Sequence, residues 1–211
     1  MKVKSSLYDW CNYVYWLMAL LIILQTDKFA LHLYFNSFCT RIGDYLMPYL
    51  THFGDGITLL ALAVIIFVMK SKRLAIFIFI AFLISSGLVQ FLKHFIFEYH
   101  MRPMFIFQHV KEFHTIDHFD YHMSQSFPSG HATSAFVLFT FLAQNFTKSW
   151  KGQLFFFIAA LFVAFTRVYL SQHYFEDIFV GSIIGFLSMK YTQVFLQSKF
   201  QQLDSPFNLS K

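Results

Sequence analysis

An all-α, polytopic membrane bundle of six transmembrane helices is the fold class this sequence predicts, and three observations lead to it. Of the 211 residues 57% are hydrophobic and only 13% charged, whereas ordinary soluble domains carry roughly 45–50% and about 25%. The apolar residues gather into six charge-poor runs. These runs exceed β-strand lengths and lack the in–out alternation of a membrane barrel, so helices are expected. The same composition excludes a disordered chain, a disulfide-stapled secreted module and a typical cytosolic enzyme. The chain reads as one membrane-embedded domain over residues 1–211.

The first run, Trp10–Gln25, follows Lys2 and Lys4. The bulky polar Gln25-Thr26-Asp27 after it offers no cleavage site, so it reads as a retained span. From Asp27 to Asp55, apolar residues recur at Leu31, Tyr34, Phe35, Phe38, Ile42, Tyr45, Leu46 and Tyr49. Their near-helical spacing predicts a helix lying in the membrane interface rather than crossing it. Asp55 stands where a cap for the second run, Gly56–Met69, belongs. The remaining runs are Leu74–Leu92, Ala132–Thr147, Gly152–Thr166 and Ile178–Met189. Several fall short of the about 20 residues a crossing needs, so their ends must snorkel or be shielded by neighbours. Gly181 and Gly185 in the last run predict close helix packing. Trp10, Trp16 and Trp150 fit aromatic belts. Cys11 and Cys39 are too few for a framework and flank the first run, so no disulfide is expected.

The net charge is +5, but the basic residues sit singly or in pairs between apolar runs, and no nucleic-acid partner is expected. Six crossings place Lys2, Lys4, Lys70, Lys72, Arg73, Lys148, Lys151, Lys190, Lys199 and Lys211 on one side with both termini. That side is cytoplasmic by the positive-inside rule. The other holds Lys28, Arg41, Lys93, Arg102, Lys111 and Arg167, every histidine, and every acid except Asp9 and Asp204. Chemistry is expected at that outer face.

Three segments there abut predicted helix ends: Lys93 to Arg102-Pro103, Pro128-Ser129-Gly130-His131, and Arg167 through His173 to Asp177. Each residue has a plain structural reading. Ser129 could only cap a helix, and Lys93 or Arg167 could only snorkel. Together, the types fit phosphoryl transfer, which needs cations and amide donors aimed at the equatorial oxygens. Lys93, Arg102 and Arg167 supply the cations, the arginines bidentately. Ser129, Gly130 and His131 would present free amides at a helix N-terminus, and Gly130 allows close approach. His173 and Asp177, four apart, share a helical face. Asp177 can then hold the Nδ1 proton and leave Nε2 to attack phosphorus, with His131 protonating the leaving oxygen and afterwards activating water.

These segments resemble the three signatures of the type-2 phosphatidic acid phosphatase (PAP2) superfamily, over roughly residues 50–195. The family pattern is Lys, six residues, Arg-Pro; then Pro-Ser-Gly-His; then Ser-Arg, five residues, His, three residues, Asp. The middle signature is intact. The third matches in spacing, with Thr166 for the usual Ser. The first has eight residues between Lys93 and Arg102. Either the loop bulges and Lys93 still reaches the phosphate, or the site runs on two arginines. The resemblance implies a metal-independent lipid phosphatase without cofactor, acting through a phosphohistidine. Its substrate would be a lipid phosphate at the outer face of a bacterial inner membrane, with undecaprenyl diphosphate or lipid A favoured. A lipid phosphotransferase using the same site, and an anion transporter, are the alternatives; transport sites usually lie nearer the midplane. His109, His114, His118 and His122 invite a metal reading, but without a Cys partner they read as part of a solvated loop over the site.

Overall fold

The structure, a computed structural model, describes residues 5–69 and 71–197. Lys2, Lys4, Lys70, Lys199, Lys211 and Asp204, on which the expected sidedness partly rests, lie outside the described residues. The first helix, α1 (Leu7–Gln25), opens on a reciprocal capping box between Ser6 and Asp9, which satisfies two otherwise orphaned amides.

The expected single interfacial helix is instead two, α2 (Lys28–Asn36) and α3 (Arg41–Leu50), followed by a 3₁₀ turn at Thr51–Gly54. Two caps explain the division. The Asp27 carboxylate accepts from the Phe29 and Ala30 amides, and the Thr40 hydroxyl accepts from the Gly43 amide. Tyr169 then pins the break, its hydroxyl lying 2.9 Å from the Thr40 amide and 2.8 Å from the Thr40 carbonyl. The apolar period ran across the break unaltered, so it carried no sign of it.

After the turn come α4 (Gly56–Met69), α5 (Lys72–Phe91) with a π-helical extension at Leu92–Ile96, and the short α6 (Pro103–Phe107). Then follow α7 (Gly130–Asn145), α8 (Trp150–Tyr169) and α9 (Phe175–Gln197). Each of the six apolar runs thus lies on one of α1, α4, α5, α7, α8 and α9. Four helical stretches are long and apolar enough to cross a membrane: α1, α5 with its extension, α8 and α9. Joined through a 53° bend, α3 and its turn form with α4 a fifth candidate. At 16 residues α7 is short, but it packs against α5, α8 and α9 and is buried along nearly its whole length, from Ala132 to Ala143. A helix that is apolar all round belongs in such a centre.

Glycines set how closely α9 approaches α7. A Cβ at Gly181 would stand 2.7 Å from the Ser129 carbonyl, and one at Gly185 would collide with the Thr133 carbonyl. The Gly-x-x-x-Gly pattern therefore serves packing within the chain, and brings the first turns of α7 and α9 side by side.

The charges separate to opposite ends of the bundle. Lys190 pairs with Asp9 at 2.6 Å, beside a polar cavity lined also by Ser6, Arg73 and Lys148. Lys93, Arg102 and Arg167 converge on the other end. There α2 lies against the α8–α9 turn through His32, whose ring stacks on Phe107 with centroids 5.7 Å apart and whose Nε2 is 3.2 Å from the Ser171 hydroxyl. Burial holds this imidazole down at about 4, against 6.5 ordinarily. The unfolded chain binds the extra proton between those values. Stability therefore rises with pH across that window and is lost as pH falls from 6.5 towards 4, by up to about 1.4 kcal/mol per pH unit. Thermal unfolding in detergent should show that fall, and His32→Phe, which keeps the stacking, should make it shallower. An unchanged slope in the variant would contradict this assignment.

Candidate active site

The three predicted segments meet at the N-terminal ends of α7 and α9. Arg167 lies in the last turn of α8, buried and 3.0 Å through Nη1 from the Thr51 hydroxyl. The chain then reverses. Ser171 adopts the left-handed region, φ 50°, uncommon for a residue with a side chain. The Arg167 carbonyl thereby accepts from both the Gln172 and His173 amides, at 3.0 and 3.1 Å. His173 is folded back over the turn that carries Arg167.

Asp177, in the first turn of α9, receives three donors on one oxygen: His173 Nδ1 at 3.3 Å, the Tyr174 amide at 2.8 Å, and the Ser126 hydroxyl. A carboxylate only accepts, so the Nδ1 nitrogen carries the proton and Nε2 keeps its lone pair. That Nε2 lies 3.5 Å from Arg102 Nη1. Burial first, then the charges of Arg102, Lys93 and Arg167, hold His173 well below its ordinary value, so the ring is neutral at physiological pH.

Arg102 is clamped from two sides. Its Nε donates to the Ser124 carbonyl at 2.8 Å, and Nη1 to the Gln172 carbonyl and Oε1 at 3.1 and 2.8 Å. Burial lowers it to about 10, still a cation at neutral pH. Lys93 sits on the π-helical turn, which with the turn after it takes up the extra residues of the first signature. Its Nζ donates to the Gln125 carbonyl at 2.7 Å. Lys93 is 8% exposed and lies at the same end of the bundle as Arg102 and Arg167.

The second segment needs a correction. The Ser129 amide is not free; it donates to the Asp177 carbonyl at 3.1 Å, and the Ser129 hydroxyl caps α7 by accepting from the Ala132 amide. The amides of Gly130 and His131 are the ones that helix geometry leaves without an intrahelical acceptor. His131 Nε2 meets Asp55 Oδ1 at 2.6 Å. The Asp55 carbonyl does start α4, accepting from Thr58 and Leu59, but its carboxylate does not cap that helix. It turns to His131 and, at 2.6 Å, to His52 Nδ1. The hydrogen bond from His131 is the main cause holding this carboxyl at about 2.

The loop before α7 is not simply a solvated cover. His114 is gripped by Asn36 and by Asp44, whose Oδ1 is 2.9 Å from its Nε2. Gln172 donates to the Asp120 carbonyl, and residues Ser124–Ser126 touch Arg102, Lys93 and Asp177 directly. Among the described residues no group of three or more His, Cys, Asp or Glu could hold a metal ion. Sequence reasoning missed Thr51, Gln172 and Ser126. Gln172 adjoins His173 in the chain, whereas nothing in the spacing marked the other two.

Three buried cations face one buried carboxylate, Asp177, and the partly exposed Asp55. That excess of positive charge, beside two helix-end amides and a neutral imidazole whose Nε2 is unprotonated, suits a polyanionic group such as phosphate.

A model of the PAP2 superfamily matches residues 73–200. Over 59 residues, 28% of the chain, the sequence is 42% identical to the lipid A 4'-phosphatase of Bacteroides thetaiotaomicron; the match spans 26% of that relative, about a quarter of its length. Among solved structures, LpxE of Aquifex aeolicus superposes with a TM-score of 0.67 at 23% identity, covering 79% of this chain and 94% of that one. A transmembrane PAP2-type phosphatidylglycerolphosphate phosphatase of Bacillus subtilis superposes with a TM-score of 0.64 at 25% identity, covering 89% and 94%.

Proposed function

The chain belongs to the PAP2 superfamily, and we propose that it is a membrane lipid phosphatase that releases phosphate from lipid A through a phosphohistidine on His173. The observation that carries this reading is the His173–Asp177 pair, with Nδ1 held by the carboxylate and Nε2 among Arg102, Lys93 and Arg167. In the first step His173 Nε2 forms the N–P bond as the P–O bond to the lipid breaks, and His131 delivers a proton to the departing oxygen. In the second, water attacks phosphorus, the N–P bond breaks, and His131 takes the water's proton. Lys93, Arg102, Arg167 and the Gly130 and His131 amides stabilise charge on the phosphoryl oxygens.

Lipid A is favoured over undecaprenyl diphosphate by the likeness to the Bacteroides enzyme. A lipid rather than a soluble ester is favoured by an apolar groove of about 540 Å³ between α4, α7 and α8, whose lining includes Leu50 and Phe53, on either side of Thr51 in the chain. Charge distribution supports six crossings with both termini cytoplasmic and the site on the outer, periplasmic face of a bacterial inner membrane.

Detergent-purified protein should release phosphate from lipid A faster than from undecaprenyl diphosphate, phosphatidylglycerol phosphate or phosphatidic acid. Excess EDTA should leave the rate unchanged, and vanadate should inhibit. Folded protein releasing nothing from any of the four overturns the reading; a phosphorylated acceptor lipid in place of free phosphate makes it a transferase.

A further inference from the structure

Two residues of the short Thr51–Asp55 segment reach into the site, and both precede residues 73–200, where the family model matches. Thr51 meets Arg167 Nη1 at 3.0 Å. Asp55 meets His131 Nε2 at 2.6 Å through one oxygen and His52 Nδ1 at 2.6 Å through the other. The segment can lie this close because Gly54 has no side chain: a Cβ there would stand 2.8 Å from the His131 carbonyl and 3.2 Å from Val163. The His52 carbonyl accepts from the Thr58 hydroxyl and the Asp55 amide, which ties the segment to the start of α4.

We infer that Asp55 is a positioning residue for His131, holding the Nε2 proton so that Nδ1 is the nitrogen that passes a proton to the leaving oxygen and later accepts one from water. The inference rests on the phosphatase reading and deepens it. A carboxylate accepts and does not donate, so an Asp55 oxygen 2.6 Å from Nε2 keeps a proton on that nitrogen of His131 whether the ring is neutral or charged. A partner held on one ring nitrogen also sets the direction of the other. The site then contains two carboxylate–imidazole pairs of opposite sense: Asp177 holds Nδ1 of His173 and frees Nε2 for attack, while Asp55 holds Nε2 of His131 and frees Nδ1 for proton transfer. His52 binds the second carboxylate oxygen and keeps the Asp55 group from swinging away from His131.

An acid matters in proportion to how poor the leaving group is. A long-chain alkyl phosphate departs as an alkoxide that must be protonated, whereas p-nitrophenolate leaves without help. The test compares these two substrates on wild-type protein, Asp55→Asn and Asp55→Ala, each with matched thermal unfolding and size-exclusion profiles. In the variants kcat for the alkyl phosphate should drop by about 100-fold or more, the scale of general acid catalysis, with KM nearly unchanged. With p-nitrophenyl phosphate the variants should keep a burst of one p-nitrophenolate per protein, and phosphate should accumulate on His173 because the water step lacks its base.

Equal losses on both substrates without a burst would show that Asp55 only supports the fold there, and would overturn the inference. Unchanged or increased turnover would overturn it too. Wild-type protein that releases phosphate from neither substrate would instead sink the phosphatase reading itself, and this inference with it.

Discussion

Replacing His173 with alanine should abolish phosphate release, by roughly 10⁴-fold or more as removal of an activated nucleophile does in other enzymes, while the bundle remains folded. The structure explains both halves. His173 is 1% exposed, and its Nε2 lies 3.5 Å from the Arg102 guanidinium, so no other imidazole stands ready to replace it. His131 is engaged by Asp55 at 2.6 Å. Removing the ring leaves Asp177 with the Ser126 hydroxyl and the Tyr174 amide still donating to it, so the buried carboxylate is not stranded without partners. Such stranding is what makes broken buried pairs costly. The His173 amide keeps its bond to the Arg167 carbonyl, so the turn keeps its shape. Rapid quenching should trap alkali-stable, acid-labile phosphate on wild-type protein and none on the variant. A well-folded His173→Ala preparation that still turned over, or still trapped phosphate, would move the nucleophile elsewhere.

The six apolar runs were legible because a helix set among lipid and other apolar helices leaves a continuous run in the sequence, whichever face it packs. The third signature was legible as a pairing of His173 with Asp177, but not by the route expected: His173 precedes α9, so the turn after α8 and not a shared helical face brings the two together. Partners contributed from afar were not. Asp55 stood next to a helix start and was read as its cap, since sequence cannot show that α7 passes close enough to draw the carboxylate away. Ser126 and the carbonyls of Ser124 and Gln125 lie in a loop without periodicity, and a backbone carbonyl has no residue signature at all. The Ser129 amide was expected to face the ligand, but Gly181 lets α9 come close enough for the Asp177 carbonyl to accept from it. The eight-residue spacing of the first signature goes with a π-helical turn that carries Lys93, and apolar patterning gives no sign of such a turn.

Asp177→Asn is the second large effect, expected to lower kcat by about 10³–10⁴-fold by analogy with other oriented imidazoles. All three donors reach the same carboxylate oxygen, so an asparagine that places its carbonyl oxygen there keeps every one of those bonds, and His173 keeps its tautomer and direction. What disappears is the charge. Asp177 is the only buried carboxylate described in a cluster with Lys93, Arg102 and Arg167. As Nε2 attacks phosphorus the imidazole takes on positive charge, and without the carboxylate that charge develops among three cations with nothing beside it to offset it. The ground state does not share the loss: with less negative charge present, phosphate should bind the variant at least as tightly as wild type, whereas vanadate, which mimics the five-coordinate transition state, should bind more weakly. The expected pattern is therefore unchanged unfolding temperature, undiminished inhibition by phosphate, weakened inhibition by vanadate, and a collapsed kcat. Asp177→Ala gives the contrast, since it strips Ser126, Tyr174 and His173 of their shared acceptor and should unfold at lower temperature as well. An Asn variant that kept most of its turnover would mean that orientation alone, and not charge, is what Asp177 supplies.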